Sequence, residues 1–135
     1  MVSRRSQERG QDLLEFALTL PVLWLLLMGI FDLGRATIFT TVLYSAAREG
    51  ARYGIVSPDD TAGIEGTVRN KAALLNLDPT AVSVALFDLD TNPADVEAVR
   101  VGVTYQFTAV TPIVAVLLGS SEVTLQTQAT MRVEW

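Results

Sequence analysis

The chain contains no cysteine and no histidine. Without thiols there is no disulfide staple, no thiol nucleophile and no thiolate zinc site. Without histidine it lacks the commonest general base near neutral pH and the commonest metal ligand. Any catalysis would fall to carboxylates alone, and no catalytic residue, metal ligand or cofactor is assigned. A further absence is local: from Leu18 to Phe31 no polar face recurs at helical spacing, as it would on a helix at the surface of a soluble core. The sequence also shows no internal repeat, no low-complexity tract, no glycine-rich phosphate loop and no G-x-S-x-G elbow.

What stands in that gap organises the rest. From Leu13 to Phe31 the one strongly polar side chain is Glu15. At about 1.5 Å per residue this block makes roughly 28 Å of helix, close to the ~30 Å hydrocarbon thickness of a bilayer. Residues about 13–31 are therefore read as a single membrane span. Arg4, Arg5 and Arg9 precede it against Glu8 and Asp12, which puts the N-terminus in the cytoplasm and the remainder across the membrane. With 135 residues in all, there is room for one small domain beyond the span. The net charge of −5 is scattered and acidic, which argues against nucleic acid as a partner.

Met1–Gly10 is short, polar and basic, like the n-region of a signal peptide, yet no A-x-A-like site follows the apolar run. An uncleaved signal anchor would need nothing at Gly10 or Glu15. A carboxylate one turn inside an apolar helix costs roughly 2–3 kcal/mol, less if it snorkels to the interface. Its presence asks for a cation.

Gly10-Gln11-Asp12-Leu13-Leu14-Glu15-Phe16 resembles the prepilin-peptidase site of type IV pilin-like proteins: glycine, four residues, glutamate, aromatic. The wider stretch from Arg9 to Tyr53 resembles the TadE-like family of the tight-adherence pilus system. The features that carry this are Arg9–Gln11, Glu15–Leu18, Pro21, Asp32-Leu33-Gly34-Arg35 and Ala46–Tyr53. The resemblance implies a minor pilin or pseudopilin in the bacterial inner membrane or in a cell-surface pilus, with prepilin peptidase, membrane lipid and other pilin subunits as partners. Gly10 would be the last leader residue, making 1–10 the leader, and Gln11 the first mature one. Glu15, with Phe16 beside it, would set subunit register by meeting the new α-amine of a neighbour's Gln11. Pro21 would be a tolerated kink or a point of bending when subunits leave the bilayer.

Beyond the span the helix is expected to continue as an amphipathic extension over 32–56, giving a long helix over 11–57. Ala46, Gly50 and Gly54 form a small-x-x-x-small row, suited either to this protein's own sheet or to another helix. Asp32 and Arg35 are expected as an exposed local pair of small energetic weight. Ser57-Pro58 breaks the helix, and residues 58–135 form the extracytoplasmic domain. A second helix is predicted over Thr61–Leu77, capped by Asp60 or Thr61. Alternating strands follow at Ala81–Phe87, Ala98–Ala109 and Ser121–Trp135. The expected class is α+β, a long N-terminal helix packed on a small antiparallel sheet.

Asp88-x-Asp90-x-Asn92, followed by Asp95 and Glu97, is the one metal-like spacing, but Pro93 and Val99 stand where a calcium loop needs glycine and glutamate. Pro112–Leu118 is an uninterrupted apolar segment that serves either as core or as an exposed docking patch. Two rival classes stay open: a signal-anchored module that binds a ligand or protein, and a membrane-anchored carboxylate hydrolase.

Overall fold

The computed structural model describes residues 4–87 and 98–132. Helix α1 runs unbroken from Arg4 to Gly54, 51 residues or about 75 Å. It starts earlier than sequence periodicity indicates, so the Gly10–Gln11 bond lies inside a continuous helix. Its threonines do not break it, because Thr37, Thr40 and Thr41 donate their hydroxyls to the carbonyls one turn back, at 2.8–2.9 Å. Pro21 is accommodated within it.

Past Gly54, the Tyr53 carbonyl accepts the N–H groups of Val56 and Ser57, and Pro58 follows. Helix α2 (Thr61–Lys71) then begins with Asp60 as its N-cap, accepting from the Gly63 N–H at 2.9 Å. It ends sooner than the predicted Leu77. Ala72 closes the last turn onto Val68, a 3₁₀ turn covers Ala73–Leu75, and Asn76 turns left-handed at φ 45°. The apolar spacing through Leu75 persists across this change of helix type, which periodicity alone does not register. Leu75 is buried and Leu74 faces solvent.

Strands β1 (Val82–Phe87), β2 (Ala98–Thr108) and β3 (Glu122–Arg132) form one antiparallel sheet in the order β1-β2-β3. Val101 lies between Val84 and Ala129, Val103 between Val82 and Thr127, and Tyr105 opposite Leu125. These residues face α1 and α2. The opposite face carries Ser83, Arg100, Thr104, Gln106, Thr124, Gln126 and Gln128, as strict alternation requires. A short helix α3 (Pro112–Leu118) connects β2 to β3 and ends at Gly119, where φ is 73°.

One core results. Leu43, Ala46, Ala47 and Ala51 from α1 pack with Ile64, Val68, Val82, Val99, Val101 and Val103. The protein is thus α+β, with the C-terminal half of a long helix as the spine of a three-stranded sheet.

Candidate functional site

The N-terminal half of α1 stands clear of the domain. Every large apolar side chain from Leu13 to Phe31 is exposed. The helix over Gly10–Gly54 is the one, among the described residues, long and apolar enough to cross a membrane. Gly10, Gln11, Glu15 and Phe16 are all exposed within it. A Cβ placed on Gly10 would meet nothing among the described residues. Gln11 and Glu15 lie one turn apart on the same face. Among the described residues Glu15 makes no ion pair; its backbone carbonyl accepts the Thr19 hydroxyl at 2.8 Å.

Ala46, Gly50 and Gly54 point the other way, into the protein's own core. A Cβ on Gly50 would come within 2.4 Å of Val68 Cγ2, and one on Gly54 within 2.7 Å of Val99 Cγ1. The row lets α2 and β2 approach the α1 backbone, so close approach is spent inside the subunit.

Where the apolar block ends, the sequence expectation is corrected. Asp32 is not an exposed partner of Arg35 but is 3 % exposed. Its Oδ1 accepts from Arg35 Nη1 at 3.0 Å. Its Oδ2 accepts the backbone N–H groups of Val110 at 3.0 Å and Thr111 at 2.8 Å, and also the Thr111 hydroxyl. Four donors and no acceptor converge on two oxygens, an arrangement complete with an ionised carboxylate. The Arg35 guanidinium continues over the rings of Phe107 at 5.2 Å and Phe39 at 5.7 Å. Phe39 in turn meets Tyr105 and Phe107 edge-on, at 5.6 and 5.8 Å between centroids. Each such pair adds about 0.5–1.5 kcal/mol beyond the area it buries.

This junction clamps the connection between β2 and β3 to α1 at the last turn of the apolar block. Sequence reasoning missed Val110 and Thr111 because nothing local marks a backbone N–H 78 residues away as a carboxylate's partner. The one available signal was the acidic-x-Gly-Arg step itself, Asp32 to Arg35.

At the far end Tyr53 donates its hydroxyl to Asp60 at 2.8 Å, tying α1 to the start of α2. A Cβ on Gly63 would strike this pair, at 2.2 Å from Asp60 Oδ2 and 2.7 Å from the Tyr53 hydroxyl. The two hydrogen bonds, first from Gly63 and then from Tyr53, hold the Asp60 carboxyl below its ordinary range. Reciprocally, Asp60 pushes the Tyr53 hydroxyl up.

Among the described residues no cluster of acidic groups is placed to hold a metal. The Asp88–Glu97 loop weighed for calcium lies outside the described residues. A family model described as TadE-like protein matches residues 10–52, in agreement with the resemblance read from the motifs between Arg9 and Tyr53. The match opens on Gly10, takes in Glu15, Asp32 and Arg35, and stops before α2 and the sheet. No curated protein and no solved structure matches the chain.

Proposed function

We propose that this chain, whose residues 10–52 match the model of TadE-like proteins, is a minor pilin or pseudopilin contributing to assembly of a tight-adherence pilus. The observation that carries the reading is Glu15. It stands exposed near the start of the otherwise apolar block Leu13–Phe31, within a family match that begins five residues earlier at Gly10. The precursor inserts in the bacterial inner membrane with its basic N-terminus in the cytoplasm. Prepilin peptidase then cuts after Gly10. Because the bond lies within the helix, the peptidase unwinds a turn there, and glycine is the residue that eases this. The freed Gln11 amine of one subunit pairs with Glu15 of another, each charge offsetting the other's desolvation in lipid. Neighbouring subunits pack through the exposed apolar half of α1, while the α+β domain remains outside. The role is structural rather than enzymatic.

Two substitutions test this. A Cβ at Gly10 would meet nothing among the described residues, and Gly10→Leu is expected to remain in the membrane as uncut precursor. Glu15→Leu is expected to insert and be cut, yet to be lost from the pool that co-purifies with other pilin subunits. Normal recovery of Glu15→Leu in that pool would remove the pairing mechanism.

A further inference from the structure

From the Asp32 junction we infer that α3 and the residues leading into it form an interfacial anchor, a patch of the folded domain that lies in the headgroup layer of the membrane that α1 crosses. The inference rests on the membrane-spanning reading of α1 and adds a second contact with the same bilayer.

Three observations carry it. The first is position. Asp32 directly follows the apolar block that ends at Phe31, so it stands at the outer edge of the hydrocarbon. Its carboxylate holds Val110 and Thr111, and Pro112 begins α3 at the next residue. The other end of the excursion is closed where Ala109 N–H meets the Ser121 carbonyl at 2.9 Å. Seven helical residues reach at most about 10 Å from the clamp. The headgroup layer on each side is itself about 5–7 Å deep.

The second is chemistry. No charged residue occurs between Arg100 and Glu122, and from Ala109 to Leu118 the only side chain with a polar atom is Thr111, whose hydroxyl is taken by Asp32.

The third is exposure. Val110 and Val116 are 71 % and 80 % exposed. They are apolar side chains that the domain leaves uncovered at the point where the bilayer surface must pass. Arg35 over the rings of Phe39 and Phe107 supplies the basic and aromatic company usual at such an interface.

The absence of cysteine makes the test direct. The full chain carrying Val116→Cys, Gln126→Cys or Leu26→Cys is labelled with a polarity-sensitive fluorophore and reconstituted in phosphatidylcholine–phosphatidylglycerol vesicles. Each label is quenched either by lipids brominated near the headgroup or by aqueous iodide. Gln126 is exposed on the outer sheet face, away from the junction, and reports water. Leu26 is in the middle of the apolar block and reports lipid. The label at 116 is expected to be quenched several-fold more by brominated lipid, and several-fold less by iodide, than the label at 126. Equal behaviour at 116 and 126 would overturn the anchor while leaving the span intact. Shielding at 116 from both quenchers would mean that another protein copy covers the patch, and would also overturn it. Iodide access at 26 would remove the spanning reading, and the anchor with it.

Discussion

At the residue scale, the heaviest demand falls on Asp32. Replacing it with alanine strands two backbone N–H groups and a buried hydroxyl at once. Asp32→Ala is expected to destabilise the domain by about 1–3 kcal/mol, read as a lower denaturant midpoint for the full chain in detergent. Asp32→Asn keeps one acceptor oxygen and should lose less. The glycines make a second, signed comparison. Gly50→Ala drives a methyl into the buried Val68 side chain and should destabilise by about 1–3 kcal/mol. Gly66→Ala adds a Cβ in open space within α2 and should stabilise by about 0.5–1 kcal/mol. Thermal melts of the two variants side by side check both signs. The sequence marked Gly50 as a packing residue from its spacing, but its partner could not be read there. Val68 and Val101 reach it only through a turn and a sheet.

At the element scale, the joint between α1 and α2 carries a pH dependence. The Asp60 carboxyl is held below its ordinary range by the Gly63 N–H and then the Tyr53 hydroxyl. A group whose folded pKa is depressed contributes stability that is present above its unfolded value, about 3.9, and lost as pH falls through the folded one. Acidification below about pH 4 should therefore lower the melting temperature of the native protein, and Asp60→Asn should flatten that part of the profile. Strands β1 to β3 were legible because alternation needs only local information, and the Asp60 cap because capping is local too. The end of α2 was not, since the change to a 3₁₀ turn and the left-handed Asn76 come with no break in apolar spacing. The Pro112–Leu118 alternative, core or patch, is not decided by apolar spacing; at Val116 the side chain is exposed.

At the scale of the whole molecule, the contacts fix a direction. The Thr108–Glu122 end of the sheet lies beside Asp32, and Val99 lies against Gly54 at the far end. The domain thus lies along α1 with the β2–β3 connection toward the apolar block and the Ala98–Arg132 end away from it. The fold class and the amphipathic extension of α1 were written in periodicity, and Glu15 stood out as the one strongly polar side chain between Leu13 and Phe31. How domain and helix are fastened together was not, because that depends on contacts far apart in the chain. Under the proposed function α1 is a cleaved assembly helix rather than a plain tether. The most direct measurement is the intact mass of the protein recovered from the membranes of cells that produce prepilin peptidase. A chain beginning at Gln11 is the predicted result, and a chain still beginning at Met1 would contradict it.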